Sequence, residues 1–236
     1  MRLSAPVYHL KRQARLLSRR ENVPLHTALD RVAGGEGFAN WSLLAAKVAE
    51  AASDDRLLAR LIPGDMVLVA ARPGQGKTLM SLELAVAAME QGGRAVFFTL
   101  KYTHADILGR FRDIGAAPAD FDHLFTFDNS DAISAAYIIE ALRSAPRGTL
   151  AVIDYLQLLD QKRENPELMV QIRALRSFAR ERGLVLVFIS QVDRSYDAAL
   201  KPFPDIGDIR LPNPLDLSLF DKACFLNKGE IQFQAT

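Results

Sequence analysis

A doubly wound α/β domain with a mainly parallel sheet, preceded by a small all-helical segment, is the fold class this sequence predicts. Three observations carry that expectation. From residue 65 onward, short continuous apolar runs alternate with segments of helical period, the pattern of strands buried on both faces and linked by crossover helices. A glycine-rich turn stands between the first such strand and the helix after it. Residues 1–60 contain no strand-like run, only helical spacing.

In that front segment, Val7, Leu10, Ala14 and Leu17 recur at helical spacing, with Lys11, Arg12, Arg15 and Arg19 on the polar side. Pro24 suits the start of a second helix carrying Leu25, Ala28, Leu29 and Val32, with Gly34-Gly35 as its stop. Asn40 is the expected N-cap of a third helix burying Trp41, Leu44 and Val48. Ser53-Asp54-Asp55 is expected to cap a further short helix that ends before Pro63-Gly64. The stretch "EGFANWSLLAAKV" resembles a short Gly-Phe-x-x-Trp helical motif of many proteobacterial proteins, a likeness that names no activity.

The second segment, 61–236, begins with strand "MVLVA" (66–70) and a helix from Lys77 to about Gln91. Strand "RAVFFTL" (94–100) follows, and Thr103 with Asp106 forms a capping box for a helix over 104–114. "LFTF" (124–127) and "TLAVID" (149–154) read as strands with a helix over 131–143 between them. Asn165-Pro166-Glu167 reads as a helix start, running to Arg182 and stopped by Gly183. Strand "LVLVFIS" (184–190), an irregular Pro-rich stretch 193–214 and a hairpin of 222–226 with 230–234 complete the chain.

Composition excludes several classes. The 236 residues are 49% hydrophobic and 24% charged, which is the balance of a globular chain and not of a disordered one. One cysteine, Cys224, excludes an internal disulfide and a cysteine-cluster zinc site, and the four histidines show no ligand spacing. No apolar run reaches the length of a membrane span, and the basic first residues lack a signal-peptide core, so no membrane association and a cytoplasmic location are expected. The net charge of +1 conceals an asymmetry: residues 1–60 carry ten bases against six acids, the remainder 19 against 22. A basic front end is compatible with nucleic acid and equally with a solvated helix face.

"ARPGQGKT" (71–78) is the phosphate-loop pattern GxxxxGK[ST] with Ala71 at its first glycine. Gly74 and Gly76 let backbone N–H groups turn inward around a phosphate, Lys77 supplies a point charge, and Thr78 offers a hydroxyl to Mg²⁺. The nucleotide-binding set is Arg72, Pro73, Gly74, Gln75, Gly76, Lys77, Thr78 and Leu79. Asp154, at the tip of an apolar strand, is the candidate second metal-side residue with Thr78. Gln191, at another strand tip, has an amide suited to sensing a terminal phosphate.

"LIPGDMVLVAARPGQGKT" (61–78), "VIDYLQLL" (152–159), "ISQVDR" (189–194) and "DIR" (208–210) follow one another in an order that resembles the ATPase core of DnaB-type replicative helicases, members of the RecA-like ATPases. The resemblance covers roughly residues 60–226. It implies a RecA-like fold, ATP and Mg²⁺ as ligands, oligomerisation with further copies of the chain and work on single-stranded nucleic acid. It casts Lys77, Lys101, Asp154 and Gln191 as the reacting set, and places the loops Gln161–Pro166 and Arg194–Arg210 where the family contacts DNA, with Lys162, Arg163, Arg194 and Lys201 as candidate contacts or simply solvated charges.

Three departures qualify what the likeness implies. The family's water-activating glutamate follows the strand "VFFTL", where this chain has Lys101. The family's C-terminal basic motif, which supplies an arginine finger, is represented near that place only by Lys228. The helical front does not resemble the family's N-terminal collar. Two readings follow: a DnaB-like ATPase with hydrolysis impaired at Lys101, or a non-hydrolysing ATP-dependent switch that presents its helical front to a partner. A signalling-type RecA-like ATPase is a third, which "VIDYLQLL" disfavours. Asp106 is the alternative general base.

Overall fold

In the computed structural model, the described residues are 3–235 apart from Pro6, 46–56, Gln161, Arg163, Ala198 and Pro212. The chain divides into two compact units, Met1–Arg60 with Lys228–Glu230, and Leu61–Asn227 with Ile231–Thr236.

In the first unit, α1 (Val7–Glu21) is amphipathic: Leu10 and Ala14 are fully buried while Arg12, Arg15, Arg19 and Arg20 are exposed. Leu10 packs with Ala33 and Leu44, and with Val32, Phe38 and Trp41 around them. Helix α2 (Leu25–Gly35) starts directly after Pro24 and ends on the Gly34-Gly35 pair, as the sequence predicts. Leu25 is 44% exposed in its first turn. Gly34 and Gly35 are its last helical residues, and Gly37 just beyond, with a positive φ of 84°, lets the Phe38 N–H reach back to the Ala33 carbonyl. Asn40 accepts from the Leu43 N–H at 2.9 Å, the expected cap of a turn over 41–45. Val48 and the Ser53-Asp54-Asp55 cap lie outside the described residues, where a 3-10 turn follows at Leu57–Arg60.

The second unit is built on a seven-stranded sheet: β1 (Met66–Ala71), β2 (Ala95–Thr99), β3 (Phe125–Asp128), β4 (Leu150–Asp154), β5 (Val185–Gln191), β6 (Lys222–Asn227) and β7 (Glu230–Ala235), in spatial order β3-β2-β4-β5-β1-β6-β7. The pairs from β3 through β6 are parallel. Strands β1 and β4 are buried at every position, as sheets covered on both faces require. The Lys228-Gly229 connection, with both φ values positive, turns the chain back into β7.

The crossover helices are α3 (Lys77–Glu90), α4 (His104–Asp113), α5 (Ala135–Ala141) and α6 (Leu168–Arg182). Two differ from the sequence reading. Helix α5 begins four residues later than expected, because Ser134 accepts from the Tyr137 N–H and so caps it. Helix α6 begins at Leu168, not at Pro166. The Asn165 amide donates to the Leu159 carbonyl instead of capping, and the buried Gln171 amide bonds Leu159 O and Pro166 O while accepting from the Ala135 N–H. One interior side chain thus fixes the turn ahead of the helix, a tertiary effect no local pattern announces.

Because the central strands are parallel, their C-terminal ends fall on one edge of the sheet. Thr99 is in register with Asp154, Asp154 with Ile189, and Ala71 with Gln191. Open α/β sheets place ligands in the crevice at that edge.

Candidate nucleotide site

The strand tips and one loop assemble the site. After β1, the loop 72–76 turns through Gly74 (φ 79°) and Gly76 (φ 94°), a backbone that a side-chain-bearing residue adopts only with strain, and enters α3 at Lys77. Helix α3 therefore starts at the tip of a buried strand, with its free N–H groups and positive dipole end facing the crevice. Arg72, Pro73 and Gly74 are exposed, Gln75 and Gly76 are half-buried, and Leu79 anchors the helix in the core. Arg72 donates to the Tyr196 carbonyl at 3.3 Å.

Lys77 Nζ donates to the carbonyls of Ala71 (2.8 Å) and Arg72 (3.0 Å), which arches the side chain back over the loop. Its burial lowers its pKa to about 8, with Asp154 opposing that shift and Lys101 adding to it. Thr78 Oγ1 donates to Asp154 Oδ2 at 3.0 Å. Asp154 is 3% exposed, and burial raises its carboxyl pKa against the Thr78 hydrogen bond and the charges of Lys101, Lys77 and Arg110. The peptide between Asp154 and Tyr155 is cis. A glycine loop, a helix N-terminus, one amine, one hydroxyl and one buried carboxylate form a donor set that fits a magnesium-bound polyphosphate. Among the described residues no three His, Cys, Asp or Glu gather as a metal cluster, so a divalent cation would share its shell between Thr78, Asp154, phosphate and water.

Lys101 lies two residues beyond β2, with its N–H on Thr99 Oγ1 at 3.0 Å and its amine over the Tyr102 ring at 5.1 Å. It is exposed, and its charge acts on both Lys77 and Asp154. Asp106 is occupied elsewhere. Its carboxylate accepts from Thr103 N (2.9 Å) and Oγ1 (2.7 Å) in the expected capping box, and these bonds hold its pKa below the usual carboxylate range. Gln191 ends β5 half-buried, with its carbonyl accepting from the Arg210 N–H.

The segment after β5 is irregular in backbone yet richly bonded. Val192 bridges Ile209 antiparallel, and the Tyr196 hydroxyl donates to the Lys201 carbonyl and accepts from Asn227 Nδ2. Lys201 pairs with Asp205 at 2.5 Å and Asp208 at 2.7 Å, a role in the loop's own architecture that the sequence did not reveal. The i,i+4 spacing of Lys201 and Asp205 was the available signal. Arg194 and Lys162 are exposed, and Gln161 and Arg163 lie outside the described residues. Sequence reading also missed Arg110, half-buried on α4, whose guanidinium stacks on Tyr102 at 4.4 Å.

Residues 53–203 match the ATPase family described as ATPase: KaiC. This chain belongs to that family, and its core is a DnaB-type, RecA-like ATPase domain. The replicative DNA helicase DnaB of Leifsonia xyli subsp. xyli is 27% identical over 187 residues, which are 66% of this chain and 41% of that protein. A probable plasmid replicative DNA helicase of Chlamydia trachomatis is 26% identical over 201 residues, 72% of this chain and 44% of that one. The chain therefore spans less than half the length of these curated relatives. Among solved structures, a DnaB-like replicative helicase studied for its interactions with primase superposes with a TM-score of 0.59 at 19% identity, over 92% of this chain and 66% of that one. That likeness concerns the fold of the DnaB-type core, which the parallel sheet described above shares. Among the described residues no helix is long and apolar enough to cross a membrane.

Proposed function

We propose that this RecA-like domain binds ATP with Mg²⁺ and hydrolyses it slowly, and that it works on or with single-stranded nucleic acid. The observation that carries the reading is the Thr78–Asp154 hydrogen bond at the mouth of a glycine loop, which joins the hydroxyl and carboxylate that a magnesium-bound phosphate requires. Arg72 through Leu79 would cradle the phosphates by backbone N–H groups, and Lys77 would exchange its two loop carbonyls for phosphate oxygens. Mg²⁺ would supply charge neutralisation of the triphosphate, with Thr78 and Asp154 on its protein side. Gln191, at the neighbouring strand tip, is the proposed sensor of the terminal phosphate. Lys101, where the resemblance to DnaB-type cores implies a glutamate, would hold negative charge without accepting a proton. Asp106 is a weak substitute base, since its carboxylate caps α4.

Saturating Mg-ATP is expected to raise the melting temperature, because a ligand that binds only the folded state stabilises it. Lys77→Ala should remove that shift. A thermal melt that is the same with and without nucleotide in the unsubstituted protein would defeat the reading.

The nucleic-acid part rests on the four exposed arginines of α1, on one face opposite Leu10 and Ala14, and on Arg194. Affinity for single strands should fall with salt at a slope of about −0.7 per phosphate contacted. Replacing Arg12, Arg15, Arg19 and Arg20 by Gln should weaken binding and flatten that slope in a fluorescence-anisotropy titration, and unchanged affinity would assign those charges to solvation. The alternative, a non-hydrolysing switch working from the helical unit, is favoured by Lys101 alone. It predicts no turnover with or without nucleic acid, and no oligomer that depends on ATP.

A further inference from the structure

Helix α4 brings a further cation, beside Lys77 and Lys101, to the crevice from the same chain. The Thr103–Asp106 capping box fixes where the helix starts, and two turns on, Arg110 lays its guanidinium on the Tyr102 ring at 4.4 Å. The other side of the arrangement is Lys101, 5.1 Å from the same ring centroid. Tyr102 thus orders two cations that would otherwise repel, by offering both the negative face of its π-system. Arg110 Nε is buried and has no hydrogen-bond partner among the described residues, a costly state for a charged donor group. Its neighbour Asp106 is committed to the cap. Meanwhile Asp154 is the buried carboxylate on which Lys77, Lys101 and Arg110 all act. Three cations set against the carboxylates of Asp154 and Asp106 leave a net positive charge at the strand tips, where a compact, multiply charged anion would be favoured.

We propose that Arg110, oriented by Tyr102, is a ligand for the terminal phosphate supplied by the same chain as the phosphate loop, so that the site favours a nucleoside triphosphate over the diphosphate. The inference rests on the nucleotide-site reading above. The β-phosphate belongs to the loop and Lys77, which both nucleotides satisfy. Lys101 and Arg110 come from the segment past the end of β2, outside the phosphate loop, and on this proposal only the longer ligand engages them. Arg110 offers a planar fork of donors suited to phosphate oxygens, whereas Lys101 contributes a point charge.

The test is calorimetric titration with Mg²⁺ of a non-hydrolysable ATP analogue and of ADP, for the unsubstituted protein, Arg110→Gln and Tyr102→Leu. Arg110→Gln should weaken the triphosphate analogue by about tenfold or more, the usual size of a charge-assisted hydrogen bond, and ADP by less than about twofold. Tyr102→Leu keeps both charges but frees them, and should weaken the analogue several-fold with ADP again spared. If Arg110→Gln does not fold, the Tyr102→Leu ratio decides. Equal losses for both nucleotides, or none, would overturn the inference while leaving nucleotide binding intact. Binding of neither nucleotide by the unsubstituted protein would instead overturn the functional reading and this inference with it.

Discussion

Lys101→Glu is expected to raise ATP turnover by about a hundredfold or more, the scale of a positioned general base. The side chain stands just past β2, in register terms two residues beyond the Thr99–Asp154 pair, and its charge acts on Asp154 and Lys77. An ammonium there attracts phosphate but has no lone pair for a water proton. A carboxylate would accept that proton and would add a negative charge opposite Lys77, Lys101 being one of the groups that lowers the Lys77 pKa. The measurement is phosphate release under saturating Mg-ATP, paired with nucleotide affinity. Unchanged turnover with affinity preserved would move the deficit away from the general base and favour the switch. High turnover in the unsubstituted protein, insensitive to Lys101 but lost in Asp106→Asn, would make Asp106 the base in spite of its capping role.

Phe188→Ala should destabilise the fold by about 3–5 kcal/mol, the usual range for removing a large aromatic from a core. Phe188 is fully buried in β5, the strand between β4 and β1, and meets Phe220 edge-on with ring centroids 5.4 Å apart. The Phe220 ring cannot shift into the void, because Phe220 immediately precedes the short link into β6. A loss of this size is a large share of the stability of an ordinary domain. Urea unfolding would measure it, and Phe188→Leu, which keeps most of the volume, should lose far less. A loss under about 1 kcal/mol in Phe188→Ala would mean that this packing does not form.

The sequence by itself determined the elements whose signals are local. The runs 66–70 and 149–154 are too apolar and too short to be anything but buried strands, and "ARPGQGKT" between strand and helix leaves little freedom for the turn at Gly74 and Gly76. The capping box at Thr103 and Asp106 is equally local, since the two residues satisfy each other's backbone donors. Element ends were less legible. Helix α6 starts late because Gln171, distant from the loop in period terms, reaches back to Leu159 and Pro166 and across to Ala135.

The candidate site divides in the same way. Lys77, Thr78 and Asp154 could be named from their places beside strands, since parallel strands carry their C-terminal residues to one edge wherever they lie in sequence. The tertiary structure alone decided which neighbours they have. It drew Lys201 into ion pairs with Asp205 and Asp208, and it stacked Arg110 and Lys101 on Tyr102. Charge, unlike burial, has no period along a chain. A lysine or arginine looks alike in sequence whether it faces water, an acid or a ring, and only the folded path of the backbone around it sets which of these it meets.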